Sequence, residues 1–355
     1  MLKTVSLKVT PTSNSRLDTV DWNNLPFGKV FADHMLIMDY RDGAWQTPEI
    51  LPFGPIPMHP AMSAIHYGQS IFEGMKASKT QAGEVVIFRP EMNAKRFAES
   101  CERMCMPVIP ADLFVELTKA AVDIDRSWIP ETPGYSLYIR PFMFATDDTV
   151  GIRPSETYRF MIFTCPVGSY YNEPVRVKLE EHYTRASQGG VGAAKTAGNY
   201  GSSLYPAKKG QDLGYHQLLW TDGKTHEFIE ESGTMNVLFI IDGVLITPTE
   251  ESDTILHGVT KRSVIELAEE WGIPVEERKV SVQEVVDAVS KGTITECFGA
   301  GTAATIAHIV KIGYRDTDLI LPPVEGRTFS HKVVQYLDDL KAGKIEDIHG
   351  WLCHV

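Results

Sequence analysis

The stretch 189–201 reads GGVGAAKTAGNYG, and it is the segment that says most about the fold class of this chain. Five glycines among its thirteen residues leave the backbone bare, so that a ligand can approach it closely. Its one lysine, Lys195, has small neutral neighbours and no carboxylate within the stretch to pair with. These features suit a lysine that reacts as a Schiff-base nucleophile, and a solvated lysine in a flexible loop is the plainer alternative.

Two other segments carry residue types that suit the binding of a charged ligand. The segment 230–236 (EESGTMN) runs into the apolar strand predicted at 237–241, where a carboxylate at the strand end could face a cationic ring nitrogen. Two exposed carboxylates at the end of a loop would read the same way. The segment 298–305 (FGAGTAAT) predicts a glycine-rich turn that opens a helix at Ala303 and points N–H groups at an anion. A tight connection without a ligand fits it equally well.

Composition narrows the classes of partner. The 355 residues include 34 Lys+Arg and 46 Asp+Glu, a formal net charge of −12, which disfavours nucleic acid and anionic membranes. No apolar run approaches the ~18 residues of a spanning helix, and the first residues show no targeting pattern, so we expect a cytoplasmic protein. Five cysteines without a C-x-x-C pair indicate neither a disulfide framework nor a metal site. Small molecules and other protein subunits remain as partners.

Hydrophobic periodicity predicts a mixed α and β chain. A β-hairpin is expected around Arg41-Asp42-Gly43, helical structure over 61–76, and a helix that begins at Pro90. Neither the helical period of about 3.6 residues nor the strand period of about 2 residues is present around 166–174. At about 100–200 residues per domain, the length of the chain suggests two domains. We therefore place the domains at 1–170 and 171–355.

Seven short blocks, in this order along the chain, are similar to those of the branched-chain amino acid aminotransferases. The blocks are Phe72–Ala77, Arg89–Pro90 with Asn93 and Arg96, Tyr138–Pro141, 189–203, Glu231–Asn236, Gly258–Arg262 and Phe298–Thr302. The resemblance implies an α+β, two-domain pyridoxal-phosphate enzyme of fold type IV. In that fold the cofactor lies in the cleft between a small N-terminal α/β domain and a larger C-terminal domain that carries the cofactor's lysine.

The resemblance also implies a role for each matching residue around pyridoxal 5′-phosphate. Lys195 matches the Schiff-base lysine, which also moves the proton between the substrate Cα and the cofactor. Glu231 matches the residue that faces the pyridine nitrogen, and Tyr200 matches the tyrosine that bonds the phenolic oxygen. The positions that match the phosphate site are Arg96, Val259, Thr260 and Thr302. Thr234 and Ala303 match positions near the substrate carboxylate, and Thr234 is also assigned to the cofactor site.

The same resemblance implies an apolar pocket for the substrate side chain. The matching wall positions are Phe27, Phe72, Tyr138 and Tyr170, and those that reach in from a second subunit are Tyr67, Val150 and Ile152. Arg140 matches the arginine that meets the second carboxylate of glutamate. A pocket shared in this way implies a homodimer or a higher homo-oligomer. Without the resemblance, core packing would explain Phe27, Phe72 and Tyr170 better.

The implied function is reversible transfer of the amino group of leucine, isoleucine or valine to 2-oxoglutarate. A D-amino acid aminotransferase or an aminodeoxychorismate lyase would share the fold and is the nearer alternative. A cofactor-free lysine enzyme would leave Arg96 and Thr302 unexplained, and a non-catalytic binding protein would bind no absorbing cofactor.

Overall fold

The computed structural model describes residues 6–171 and 173–355, so residues 1–5 of the predicted first domain lie outside the described residues. Within this range the contacts divide the chain into two compact units. The first unit contains the described residues up to Tyr170, together with Ala194–Gly198 and Asp338–Val355. The second contains the described parts of Tyr171–Ala193 and Asn199–Leu337. Each unit has its own sheet and its own apolar core.

Runs of strands are interspersed with single helices along the chain. The strands are β1 (Lys8–Val9), β2 (His34–Arg41), β3 (Ala44–Trp45), β4 (Glu49–Pro52), β5 (Ser70–Phe72), β6 (Met75–Lys79), β7 (Val85–Phe88), β8 (Ser136–Ala145), β9 (Tyr158–Val167), β10 (Val175–Leu179), β11 (Gln217–Thr221), β12 (Phe228–Ser232), β13 (Met235–Ile241), β14 (Val244–Thr247), β15 (Val275–Glu277), β16 (Val280–Ser281), β17 (Ile294–Gly301), β18 (Thr305–Tyr314), β19 (Thr317–Ile320) and β20 (Leu352–His354). The α-helices are α1 (Ser63–Tyr67), α2 (Pro90–Arg103), α3 (Ala111–Ile124), α4 (Ala197–Asp212), α5 (Val259–Glu270), α6 (Val282–Lys291) and α7 (Phe329–Lys341). No helix within the described ranges is long and apolar enough to cross a membrane.

The first unit is built on a sheet in the order β1-β4-β2-β9-β8-β6-β7-β20, with β3 paired to β2 and β5 paired to β8. Helix α2 begins at Pro90, as expected, because the fixed φ of proline suits a first helical turn. Its Phe97 packs against Phe114 of α3 and Phe160 of β9, with ring centroids 5.1 and 5.5 Å away. This buried contact fixes the face of α2 that carries Arg96 and Ser100 relative to the sheet.

The prediction of helical structure over 61–76 is wrong for most of that range. Helix α1 ends after five residues because Gly68 takes a left-handed conformation with φ of 67°. The chain then forms β5 and β6, which both pair with β8. Phe72 is the last residue of β5, and Glu73 lies in the short connection between β5 and β6.

The second unit contains a closed ring of strands. Strands β13, β17, β18, β10, β11 and β12 pair in that order, and β12 also pairs with β13, so that each strand of the ring has two neighbours. The apolar core of this unit contains Val177, Leu219 and Phe239 of the ring together with Val282 and Val285 of α6. Closure removes sheet edges from this ring, which therefore gives fixed positions to the residues at its rim.

Two turns in the second unit test the sequence predictions directly. The hairpin between β13 and β14 forms as expected, with φ of 50° at Asp242 and 79° at Gly243. The helix predicted to open at Ala303 is wrong, because β17 and β18 form an antiparallel hairpin around Thr302–Ala304. Thr305 takes φ of 62° where the chain turns back. The N–H groups at this place therefore belong to a hairpin turn.

The predicted second domain, 171–355, differs from the observed second unit in two places. Residues 194–198, which include Lys195, group with the first unit because the backbone of Lys195 is bonded there on both sides. Residues 338–355 also group with the first unit, since β20 pairs with β7 in its sheet. Residues 194–198 therefore belong to the first unit, although the residues before and after them in the sequence belong to the second.

Candidate active site

Lys195 is held by backbone contacts to two elements of the first unit. Its N–H donates to Ser100 Oγ of α2 at 2.9 Å, and its carbonyl oxygen accepts from the N–H of Phe72 at 3.0 Å. The next residue, Thr196, forms a β-bridge with Ile71. The Lys195 Nζ lies 5.0 Å from the ring centroid of Phe72. These contacts fix the backbone from which the Lys195 amine projects beside an aromatic face.

Arg96 lies one helical turn before Ser100 and is paired with Glu73. Its Nε donates to Glu73 Oε1 at 2.7 Å and its Nη2 donates to Oε2 at 2.8 Å. Asn93 Nδ2 and the N–H of Gly74 also donate to Oε2, and Glu73 is completely buried. Burial acts to raise the pKa of Glu73, but Arg96, with Lys195 and Asn93 in lesser parts, holds it below its ordinary value. Glu73 therefore fixes the orientation of the predicted phosphate-binding arginine.

Four predicted pocket residues form an aromatic wall in the first unit. The ring of Phe27 lies 4.9 Å from that of Tyr138 and 5.2 Å from that of Tyr170, edge-on to both. The Arg140 guanidinium lies 4.6 Å from the ring centroid of Phe72 and donates to the Tyr138 hydroxyl at 2.9 Å. Burial raises the pKa of Tyr138, so its hydroxyl remains protonated. The structure thus brings Phe27, Phe72, Tyr138, Tyr170 and Arg140 together.

Three predicted residues, Tyr67, Val150 and Ile152, lie at the surface of the first unit. Their exposed fractions are 44%, 65% and 92%. Tyr67 ends α1, and the other two lie on the connection between β8 and β9. Asp147 holds this connection by accepting hydrogen bonds from Ser155 Oγ and from the N–H groups of residues 156 and 157. Their predicted reach into a second subunit stays a prediction.

The second unit contains a recess that includes three predicted residues. It is a small recess that is partly open to solvent and is lined by Arg185, Asn199, Tyr200, Ser203, Glu231, Gly233 and Thr234. Glu231 is 3% exposed and accepts a 2.7 Å hydrogen bond from the N–H of Leu256. Gly233 has φ of 59°, and a Cβ there would lie 2.3 Å from Gln217 Oε1, so the turn that presents Thr234 requires glycine.

The remaining predicted residues lie at the ends of elements in the second unit. Val259 and Thr260 begin α5, where the first N–H groups of a helix have no acceptor within the helix. A Cβ on Gly258, before them, would lie 1.8 Å from Asn236 Oδ1, so this helix start also requires glycine. Thr302 and Ala303 lie in the β17–β18 turn. A helix start and a tight turn both suit the binding of an anion.

Three residues that the sequence patterns left without a role contact predicted site residues. Glu73 pairs with Arg96, Ser100 accepts from the backbone of Lys195, and Arg185 forms an ion pair of 3.1 Å with Glu231. Glu73 lies inside the block Phe72–Ala77, which is the one sequence signal that could have found it. Ser100 and Arg185 have no comparable signal, because each partner lies far away along the chain.

Residues 70–312 match the family described as amino-transferase class IV. This match, together with the relatives reported next, shows that the chain belongs to the class IV aminotransferases and is an aminotransferase enzyme. The predicted α+β fold of type IV is confirmed.

Within this family the chain is similar to proteins named for branched-chain amino acids. It is 43% identical over 340 residues to branched-chain-amino-acid transaminase 1 of Bacillus subtilis (strain 168), covering 94% of this chain and 95% of that protein. It is 41% identical over 357 residues to branched-chain-amino-acid aminotransferase 2 of the same strain, covering 99% and 97%. The predicted family is thus confirmed, and the roles of single residues stay predictions.

Solved structures agree on the fold. The crystal structure of the Escherichia coli branched-chain amino acid aminotransferase matches with a TM-score of 0.74 at 27% identity, covering 90% of this chain and 98% of that chain. The branched-chain aminotransferase from Thermoproteus uzoniensis, solved with norvaline, matches with a TM-score of 0.75 at 23% identity, covering 90% and 99%. The second likeness concerns the fold alone.

Proposed function

We propose that this aminotransferase exchanges the amino group of leucine, isoleucine or valine with 2-oxoglutarate, giving branched-chain 2-oxo acids and glutamate, with pyridoxal 5′-phosphate as cofactor. The observation that carries the choice of substrate is the wall of Phe27, Phe72, Tyr138 and Tyr170 in the same unit as Lys195. An apolar, aromatic wall favours branched aliphatic side chains by desolvation and shape. The names of the relatives support the same choice.

The donors and acceptors present fit pyridoxal phosphate. The second unit offers a buried carboxylate at Glu231 for a ring nitrogen and a phenol at Tyr200 for a phenolic oxygen, both beside one recess. Arg96 offers a guanidinium whose orientation is fixed by Glu73, and α5 offers a helix start to a phosphate. When bound, the cofactor would supply an electron sink for the charge that remains after the substrate Cα loses its proton.

The chain's own residues would bind the substrate and move its proton. The Lys195 amine would move a proton between the substrate Cα and the cofactor. Ser100 and Phe72 fix the backbone of Lys195 and so hold this amine in place. Glu231 would keep a proton on the ring nitrogen. Thr234 and Ala303 are the proposed contacts of the substrate carboxylate.

The proposed pocket has to admit glutamate as well as leucine. Arg140 provides a cation at the aromatic wall, and its buried Nε has no hydrogen-bond acceptor among the described residues. A second carboxylate would find this guanidinium, whereas an aliphatic side chain would pack on Phe72 and Phe27. Arg140 is therefore the proposed residue for the second carboxylate of glutamate and 2-oxoglutarate.

The visible spectrum of the purified protein tests the proposal. We expect a coloured protein whose absorbance changes when L-leucine is added and returns when 2-oxoglutarate follows. Lys195→Ala should abolish both changes, and Lys79→Ala, a lysine that pairs at the surface with Glu131, is the matched control. A colourless protein that gains no colour with pyridoxal phosphate, or a Lys195→Ala variant that still transaminates, would refute the proposal.

The rival activities of the same fold are separated by substrate. D-alanine, L-leucine and aminodeoxychorismate, assayed side by side, should give turnover with L-leucine alone. Turnover with D-alanine or release of pyruvate from aminodeoxychorismate would favour the D-amino acid aminotransferase or the lyase.

Two further predictions belong to the same proposal. The exposed Tyr67, Val150 and Ile152 support a homodimer, which light scattering of the parent and of Ile152→Glu would test. A cytoplasmic location is proposed as well, and cell fractionation would test it.

A further inference from the structure

Arg185 is the centre of a buried polar group in the second unit. It lies on the connection between β10 and α4, and its Nη2 lies 3.1 Å from Glu231 Oε1. The same nitrogen donates to the carbonyl oxygens of Thr254 and of Gly192. The side chains of Arg185 and Glu231 are only 8% and 4% exposed. The buried Arg185 Nε has no hydrogen-bond partner among the described residues, so a full set of hydrogen bonds does not explain the position of this side chain.

The carboxylates beside Arg185 are buried. Two consecutive carboxylates, Glu230 and Glu231, are 7% and 3% exposed. Burial raises the pKa of Glu230, and the charge of Glu231 raises it further, while Thr254 and Arg185 lower it. The charged side chains that act on the pKa of Glu230 include Arg185, Glu231 and Asp222, and Tyr200 lines the same recess as Glu231. Arg185 is the one that is permanently cationic, since a guanidinium keeps its proton in proteins.

The same group joins two segments of backbone. The N–H of Ala193 donates to the carbonyl oxygen of Asp253, and Glu230 accepts from Thr254 Oγ1 at 2.6 Å. A Cβ on Gly192 would lie 2.5 Å from the Thr254 carbonyl oxygen, so glycine is required where the segments meet. Arg185 bonds both sides of this junction, whose Gly192 stands three residues before Lys195 in the sequence.

We propose that Arg185 is a positioning residue that fixes the charge and the orientation of Glu231 and holds Gly192 against Thr254. The inference rests on the proposed function, in which Glu231 faces the ring nitrogen of pyridoxal phosphate. A carboxylate can keep a proton on that nitrogen only while it is itself ionised. Without the cation, the proton moves from the ring nitrogen towards Glu231, and the cofactor becomes a weaker electron sink.

The test uses the holoenzyme loaded with pyridoxal phosphate labelled with ¹⁵N in the ring, whose ¹⁵N chemical shift reports the protonation of that nitrogen. Arg185→Gln should move the resonance towards the unprotonated value, because loss of an opposite charge at this distance shifts a carboxyl pKa by about 1–3 units. Arg185→Lys cannot reach all the acceptors of Arg185. It keeps the positive charge beside Glu231, however, and should therefore keep the parent resonance. Glu230→Gln should leave the resonance unchanged or move it the opposite way.

The variants separate charge from packing. Both Arg185 variants lose hydrogen bonds to Thr254 and Gly192, so both should lower Tm, whereas kcat with L-leucine should fall about tenfold or more in Arg185→Gln alone. Equal resonances in the parent and Arg185→Gln, or equal shifts in both Arg185 variants, would overturn the inference. If Arg185→Gln is insoluble, a changed resonance in Arg185→Lys overturns it. A parent protein that takes up no labelled cofactor would instead refute the proposed function.

Discussion

Replacing Glu73 by glutamine should destabilise the first unit strongly, because Glu73 is buried and paired with Arg96. The glutamate and glutamine side chains have nearly the same shape, so the effect comes from the lost charge. Glu73 is 0% exposed and accepts from Arg96 Nε at 2.7 Å, Arg96 Nη2 at 2.8 Å, Asn93 Nδ2 at 2.8 Å and the N–H of Gly74 at 3.1 Å. An amide group would turn one of these contacts into a meeting of two donors and would leave a buried guanidinium without its counter-charge. Breaking a buried pair in this way costs about 3–5 kcal/mol.

The assay is thermal and urea unfolding of the cofactor-free protein, since a bound ligand would add its own stabilisation. At roughly 2–4 °C per kcal/mol for a unit of this size, Glu73→Gln should lower Tm by roughly 10 °C. Asp39→Asn is the matched control, because Asp39 forms a similar two-bond pair with Arg159 in the same unit but both side chains are partly exposed, at 17% and 19%. We expect a clearly smaller loss there.

Two further measurements make the reasoning about Glu73 refutable. The pKa of Glu73 is lowered in the folded state, so its stabilisation is present above the unfolded value of about 4.3 and is lost as the pH falls through the folded pKa. The gap between parent and variant should therefore narrow below about pH 4. The double variant Glu73→Met with Arg96→Met should be more stable than either single variant, since no unpaired charge remains. A gap of less than about 1 kcal/mol at neutral pH, or additive effects, would refute the account.

The other predictions concern single side chains. Arg140→Met should raise KM for 2-oxoglutarate about 10–100-fold, the equivalent of about 1.5–3 kcal/mol for a charged hydrogen bond, and an equal rise for leucine would contradict this. Gly258→Ala should cost about 1–3 kcal/mol in urea unfolding because its Cβ would lie 1.8 Å from Asn236 Oδ1, whereas Gly201→Ala, with open space around it in α4, should stabilise by about 0.5–1 kcal/mol. Glu296 accepts hydrogen bonds of 2.7–2.9 Å from N–H groups at the start of α7. Glu296→Gln should therefore lower the free energy of unfolding by about 1–2 kcal/mol and speed hydrogen exchange there, and unchanged exchange would argue against this.

Local signals in the sequence predicted those elements whose ends are set by their own residues. The Asp242-Gly243 turn and the helix that begins at Pro90 are of this kind. Helix α4 is the opposite case, because Gly198, Gly201 and Pro206 disfavour a helix and tertiary contacts help to hold it. One of these contacts is the hydrogen bond from Asn199 Nδ2 to the Val191 carbonyl oxygen.

The candidate site was predictable where resemblance named a residue and unpredictable where a partner fixes it. Lys195 and Arg96 stand in recognisable blocks, and the structure places both in the first unit. Ser100, which accepts from the backbone of Lys195, is separated from it by 95 residues, and no periodicity connects the two. Arg185 and Glu231 likewise come from different elements of the second unit. Such pairs arise from tertiary packing, which neither helical nor strand spacing encodes.

The pairing of β20 with β7 constrains the order in which the two units can fold during synthesis at the ribosome. The ribosome must synthesise residues 89–351 between the two paired strands, and the whole closed ring of the second unit lies within that interval. The ring can therefore close while β7 still has an open edge, which is a surface prone to wrong pairing. We expect a nascent chain stalled before residue 352 to have a protected second unit and a first unit that proteases still cut.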